Sequence, residues 1–215
     1  MWLIGFPNVG KSSILSRISS AKPKIANYHF TTLSPNLGVV SMGEGRGFLA
    51  ADIPGLIEGA SEGQGLGHDF LRHVDRCRLL LHVVDIAGTD GRDPVEDIEK
   101  INFELSQYSE QLATRPQIIV ANKIDSVLEE EEIYINFKNY VEKNNLPVVY
   151  VSAVTGEGLD QLVKMAIDRL KDLPPVTIYE PEYVAPMPMA GSPEELEIEH
   201  LGSTWVITGK WLENL

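Results

Sequence analysis

Gly5-Phe6-Pro7-Asn8-Val9-Gly10-Lys11-Ser12 is the stretch on which the reading of this chain turns. It matches G-x-x-x-x-G-K-[ST], a loop that cradles phosphates, and its setting fits the match. The apolar stub Leu3-Ile4 precedes it as the end of a strand. Lys11 to Ser20 follows it, with Ile14, Leu15 and Ile18 at helical spacing. The glycines let the backbone bend until successive N–H groups point inward at phosphate oxygens. The helix opening near Lys11 adds the positive end of its dipole. In that frame Lys11 bridges the β- and γ-phosphates and Ser12 binds Mg²⁺. A glycine-rich turn capped by Ser12 would look the same in isolation, so the surroundings decide.

Working outward, apolar runs alternate with amphipathic stretches. Leu37 to Met42 and Gly47 to Asp52 read as two adjacent strands around a glycine-rich turn. Arg78 to Asp85, Pro116 to Asn122 and Pro147 to Ser152 read as strands, the first of them buried on both faces. Pro94 to Leu112, the stretch around Ile133 to Val141, and Leu159 to Leu170 read as helices. The pattern predicts an α/β fold with a doubly wound, mostly parallel sheet.

Three further signals stand at predicted strand ends, where open α/β sheets bind ligands. Asp52-Ile53-Pro54-Gly55 places a carboxylate that can hold Mg²⁺ through water. The Gly55 N–H can contact a γ-phosphate, although D-x-P-G is also ordinary turn chemistry. Asn122-Lys123-Ile124-Asp125 places a carboxylate able to accept from the ring N–H and the exocyclic amine of guanine. Adenine lacks both donors and would leave that carboxylate unpaired. The Lys123 stem can lie along the base, and Asn122 can tie the base loop to the phosphate loop. Ser152-Ala153-Val154 offers a backbone N–H at Ala153 for the guanine carbonyl. Each signal alone is a plausible turn; four in this order point to one site.

The 215 residues carry 18 Lys plus Arg against 31 Asp plus Glu, a formal charge of −13. That argues against a general nucleic-acid binder, which grips phosphate with cationic side chains. The single cysteine, Cys77, excludes an internal disulfide framework and points to a reducing cytoplasmic or organelle-matrix setting. No apolar run approaches the length of a membrane span, so no membrane partner is expected.

With these residues in view, the sequence resembles the Obg family of P-loop GTPases. The resemblance rests on the phosphate loop, on Ala21-Lys22-Pro23-Lys24-Ile25-Ala26, and on Tyr28-His29-Phe30-Thr31-Thr32-Leu33. It continues through Pro35-Asn36-Leu37-Gly38, Asp52 to Ala60, and Gly65-Leu66-Gly67. It implies GTP and GDP as ligands and hydrolysis of GTP to GDP and phosphate. It implies Mg²⁺ as cofactor, with Ser12, Thr32 and Asp52 as its residues. Lys11, Thr32 and Gly55 are then the catalytic group, and Phe30, Thr31, Thr32 and Leu33 lie in a first switch. A second switch carries Gly55, Gly59, Gly63, Gly65 and Gly67. Leu56 stands where Ras-like enzymes have a water-orienting Gln, so hydrolysis is expected to be slow without a partner. Asn8 resembles the loop Asn of K⁺-stimulated relatives, which makes K⁺ a second candidate cofactor. The large ribosomal subunit is the implied partner, in a bacterial cytoplasm or organelle matrix, and a monomer is expected. Rivals are a nucleotide-dependent binding module with little hydrolysis, a relative of the developmentally regulated GTP-binding group, and a P-loop kinase or ATPase.

Organisation follows the same division. Residues 1–172 are expected to form the G domain. Six of the thirteen prolines fall between Pro174 and Pro193, so 173–193 reads as a Pro-rich linker. Residues 194–215, with strand patterns at Glu194 to Glu199 and Thr204 to Thr208, read as the incomplete start of a small α+β domain. The family's glycine-rich N-terminal domain, through which the ribosome contact is expected, has no counterpart in these residues. Residues 176–215 hold seven acids and one base, Lys210, so much of the negative charge lies in that tail.

Overall fold

The structure, a computed structural model, describes residues 1–20, 24–25, 36–43, 46–52, 77–108, 110–174, 197–201 and 204–208. The chain divides into two units, Met1–Thr177 and Ile178–Leu215.

Among the described residues of the first unit, seven strands form one sheet. They are β1 (Trp2–Ile4), β2 (Lys24–Ile25), β3 (Asn36–Gly43), β4 (Arg46–Asp52), β5 (Leu80–Asp85), β6 (Gln117–Asn122) and β7 (Val148–Tyr150). The spatial order is β2-β3-β4-β1-β5-β6-β7. The pairs β4–β1, β1–β5, β5–β6 and β6–β7 are parallel, while β2–β3 and β3–β4 are antiparallel. The expected mostly parallel sheet is therefore present. Strand order reverses at β1, which puts the loop after β1 at the crevice where such sheets bind ligands.

The helices are α1 (Lys11–Ile18), α2 (Pro94–Tyr108), α3 (Glu110–Ala113), α4 (Glu132–Lys143) and α5 (Leu159–Asp172). Ile14 and Leu15 of α1 join Leu159, Leu162 and Ala166 of α5 over Leu81, Val83, Val120 and Val149 on one face. On the other face Ile101 and Leu105 of α2 pack with Trp2, Ile4 and Leu80. There Ile98 also packs with Phe137 and Val141 of α4 against Val84 and Ala121. Coverage on both faces is why β5 is buried at all six positions and reads as an apolar run that His82 interrupts and Asp85 ends. Emptying a position that packs against this sheet, Phe137 of α4 for example, is expected to cost about 3–5 kcal/mol.

The helix expected over Pro94 to Leu112 is matched by α2 and α3, with residue 109 outside the described residues. The two-residue β2 is too short to carry a periodicity. Asp93 caps α2, its Oδ1 accepting from Val95 N at 2.8 Å and Glu96 N at 3.0 Å, with Pro94 at the first helical position.

The second unit contains β8 (Glu197–Leu201) and β9 (Thr204–Thr208), an antiparallel pair in which Glu197 faces Thr208 and Leu201 faces Thr204. Most of the proline-rich stretch lies outside the described residues. Among the described residues no helix is long and apolar enough to cross a membrane.

Candidate nucleotide site

Gly5 and Gly10 sit where only glycine fits. Gly5 has φ +147°, and a Cβ there would stand 2.3 Å from Val83 O. Gly10 has φ +97°, and its Cβ would stand 2.2 Å from Asn122 Nδ2. The bend that the motif predicts is thus imposed by β5 on one side and by the end of β6 on the other. Between them Asn8 takes a left-handed φ of +61°. Lys11 Nζ donates to Gly5 O and Phe6 O, each at 2.7 Å.

Asn122, 2% exposed, joins three segments. Its Nδ2 donates to Val9 O at 2.7 Å, and its Oδ1 accepts from Ala153 N at 3.0 Å. The phosphate loop, the end of β6 and the loop after β7 are therefore pinned by one amide. The sequence reading aims the Ala153 N–H at a base carbonyl. Here that buried donor takes the acceptor beside it.

The next residues form the far end of the site. Lys123, at φ +71°, donates from Nζ to Asp85 Oδ2 at 2.8 Å and Thr89 Oγ1 at 2.7 Å. Asp85 also accepts from Ala87 N and Thr89 N, both at 3.1 Å, and from Thr89 Oγ1 at 2.5 Å. Burial pushes the Asp85 carboxyl up. The Lys123 ammonium and the Thr89 donors outweigh it, and the group titrates below its ordinary value. Sequence reasoning missed Asp85 and Thr89. Its one available signal was an acid at the end of a buried strand.

Asp125 is exposed and faces the cavity. Its carboxyl is held low first by a hydrogen bond from the Ser152 side chain. Ser152 Oγ itself accepts from Val154 N at 3.2 Å and Thr155 N at 3.0 Å. Asp125 Oδ2 also accepts from Ser126 Oγ at 3.1 Å.

At the phosphate end Ser12 Oγ donates to Asp52 Oδ2. Asp52 is 2% exposed, yet its Oδ1 has no hydrogen-bond partner among the described residues. A buried carboxylate oxygen left unpaired beside a hydroxyl is an all-oxygen donor set that suits a hard cation. Among the described residues no three His, Cys, Asp or Glu gather as a metal cluster. A cation held here would draw its remaining ligands from phosphate and water, the usual habit of Mg²⁺.

A cavity of about 710 Å³ runs between these ends, lined by Asn8, Gly10, Ser12, Ser13, Ser16, Arg17, Asn122, Lys123, Asp125, Ser126, Ala153 and Val154. Arg17 donates to Val154 O at 2.5 Å, so the helix behind the phosphate loop also holds the loop after β7. The structure therefore gathers the phosphate loop, Asn122, Lys123, Asp125, Ala153 and Val154 around one cavity, and Asp52 and Ser152 bond directly to residues that line it. Ile124 begins the short 3-10 turn Ile124–Ser126 behind that wall. Phe30, Thr31, Thr32, Leu33, Ile53, Pro54 and Gly55 lie outside the described residues, as does Leu56.

Comparison with known proteins follows the same residues. The family model for the 50S ribosome-binding GTPase matches residues 1–123. GTPase Obg of Clostridioides difficile (strain 630) is 51% identical over 214 residues, covering 99% of this chain and 50% of that protein. GTPase Obg of Oceanobacillus iheyensis is 59% identical over 172 residues, covering 80% of this chain and 40% of that protein. The chain spans about half the length of the curated relatives it matches. Among solved structures, nucleolar GTP-binding protein 1 of Plasmodium falciparum superposes with a TM-score of 0.61 at 24% identity, over 79% of this chain and 84% of that one. The G domain of the T. maritima FeoB iron transporter superposes with a TM-score of 0.57 at 24% identity, over 79% of this chain and 96% of that one. At that identity the two structures speak for the fold alone.

Proposed function

The chain belongs to the family of 50S ribosome-binding GTPases, and from that premise we propose that it binds GTP, hydrolyses it to GDP and phosphate, and serves as a switch in large ribosomal subunit assembly. The observation that carries this reading is the Asn122 amide. It locks the phosphate loop to the loops bearing Asp125 and Ala153, so one cavity offers a phosphate end and a guanine end together.

Each residue has a task. Asp125 accepts from the two N–H donors on the guanine edge, and Ser152 keeps it ionised. Lys123, tethered by Asp85 and Thr89, lies along the base. The N–H groups of the phosphate loop and Lys11 hold the phosphates and meet the charge that develops as the γ-phosphate leaves. Ser12 and Asp52 are the residues that would hold Mg²⁺, with Thr32 as the further ligand that the family resemblance implies. When bound, Mg²⁺ neutralises charge on the β- and γ-phosphate oxygens. The family resemblance assigns Gly55 an N–H to the γ-phosphate that is withdrawn when that group is released. K⁺ at Asn8 is part of the same proposal and is tested separately. With Leu56 beside Gly55, turnover by the chain alone is slow, and a bound partner completes the site.

The large ribosomal subunit is the proposed partner, in a bacterial cytoplasm or an organelle matrix. A segment with a formal charge of −13 contributes little general affinity for RNA, so its part is the nucleotide switch. The proposed boundaries remain a G domain over 1–172, a linker over 173–193 and a further small domain from 194.

Titration with fluorescent GDP in Mg²⁺, competed by GDP, GTP and ATP, tests the binding. GDP and GTP should displace the probe and ATP should not; displacement by ATP as readily as by GTP refutes the guanine assignment. Single-turnover phosphate release, run in KCl and in NaCl, tests the chemistry. A rate equal to that in buffer would leave a binding module, and equal rates in the two salts remove K⁺.

A further inference from the structure

A trans peptide unit points its C=O and its N–H in opposite directions. A loop that aims N–H groups at phosphate must therefore aim the matching carbonyls away, and something must hold them there. Asn122 does this for the Val9–Gly10 peptide through Val9 O. The Pro7–Asn8 peptide has a second holder that lies outside every motif. Arg92 Nη2 donates to Pro7 O at 3.0 Å.

Arg92 is itself fixed from several sides. Its guanidinium lies over the Phe6 ring, 5.2 Å from the centroid. Its Nε donates to Asp97 Oδ2 at 3.1 Å, and the Asp97 side chain is only 3% exposed. Its Nη1 stands 3.5 Å from Asp90. The planar fork is what allows one side chain to stack on Phe6, pair with Asp97 and reach a carbonyl at once. The residue it steadies needs steadying: Asn8 holds a left-handed φ of +61° and lines the cavity. Pro7 has no N–H, so the donor of the Pro7–Asn8 unit is one of few that this part of the loop can offer.

We propose that Arg92 is a positioning residue for the phosphate loop. It holds the Pro7–Asn8 peptide so that the Asn8 N–H faces the phosphates of the bound nucleotide, and it thereby sets phosphate affinity and the stabilisation of charge during hydrolysis. The proposal rests on the GTP reading above. It also gives the segment between β5 and α2 a double task. Asp85 and Thr89 at its start hold Lys123 at the base end, and Arg92 near its finish holds the phosphate end.

The whole chain is tested as Arg92→Ala, Arg92→Lys and the double variant Arg92→Ala/Asp97→Ala. Guanosine, GDP and GTP compete against fluorescent GDP in Mg²⁺, and single-turnover hydrolysis is measured at saturating GTP. Loss of one charge-assisted hydrogen bond should weaken GDP and GTP about tenfold in Arg92→Ala and slow hydrolysis as well. Guanosine, which has no phosphate, should bind as before. Arg92→Lys should recover only part, because an ammonium can donate to Pro7 O but cannot also stack and pair. If Arg92→Ala alone fails to fold, the double variant removes the carboxylate left unpaired and reports the same affinities. Equal weakening of all three ligands would reduce Arg92 to a staple of the fold, and no weakening in a folded variant would overturn the proposal outright. Wild-type protein that binds neither GDP nor GTP would instead refute the nucleotide reading, and this proposal with it.

Discussion

Substituting Gly10 by alanine separates two costs that the phosphate loop combines. The first is the backbone: φ +97° is left-handed, and a Cβ there costs about 1–2 kcal/mol. The second is the neighbour. The new Cβ would stand 2.2 Å from Asn122 Nδ2, and Asn122 is almost fully buried, so its amide must swing away. That breaks the bonds to Val9 O and from Ala153 N, each worth about 1 kcal/mol and more if a partner stays unpaired. The sum is about 3–5 kcal/mol. Gly43→Ala is the matched control, with φ +79° and, among the described residues, no heavy atom within 4 Å of its Cβ, so only the backbone cost applies. At about 3 °C per kcal/mol for a chain of this size, the melting temperature should fall about 12 °C for Gly10→Ala and about 5 °C for Gly43→Ala. Thermal unfolding by circular dichroism reads this, and a GDP titration reads the site. Loss of the Asn122 anchor should weaken GDP about a hundredfold, at 1.4 kcal/mol per decade, while Gly43→Ala leaves it unchanged. If the two variants match in melting temperature and in GDP affinity, Asn122 does not order this loop and the reasoning is wrong.

Three other outcomes are expected. Asp85→Asn should free Lys123 and weaken guanine nucleotides about tenfold in the same titration. Because the Asp85 carboxyl is depressed in the folded chain, its contribution is present above its unfolded value of 3.8 and is lost as pH falls through the lower folded value; denaturation midpoints of wild type and Asp85→Asn should therefore converge only in strong acid. His82 is fully buried, with Nδ1 3.2 Å from Gln117 Oε1 and Nε2 without a partner among the described residues, and burial lowers its pKa from 6.5 to about 4. Wild type should lose about 2–3 kcal/mol between pH 7 and pH 4, and His82→Gln should flatten that slope in urea titrations at the two pH values. Chelating Mg²⁺ should weaken GTP more than guanosine, and Ser12→Ala or Asp52→Asn should raise the Mg²⁺ needed for half-maximal GTP binding; an unchanged Mg²⁺ titration would place the cation elsewhere.

Much of the candidate site could be read before any coordinates, for reasons visible in particular residues. Gly5 and Gly10 are demanded by backbone conformation, and that demand is met by one residue type, so it marks the sequence. Asn122 and Asp125 stand directly after a buried apolar run, and the run itself announces a strand end. His82 interrupts such a run, and its place on a buried strand follows the same logic, while its partner Gln117 is named by the structure alone. β2 was invisible because two residues carry no period. The roles of Thr31, Thr32 and Gly55 came from resemblance to a family and lie outside the described residues.

What the sequence determined by itself is the local chemistry: a phosphate loop between strand and helix, alternating elements that make a parallel sheet, and polar residues at the strand ends. These follow from constraints within a few residues of one another. Only the tertiary structure decided which side chains hold that chemistry in place. Lys123 reaches back to Asp85, and Arg92 reaches Pro7 across 85 residues. In the same way Arg78 closes the end of α5 by donating to Leu170 O at 2.6 Å and to Leu173 O. A carbonyl accepts from any suitable donor that folding brings to it. Such a partner needs no special backbone and no fixed spacing, and an Asp or Arg that serves one looks in sequence like any surface charge.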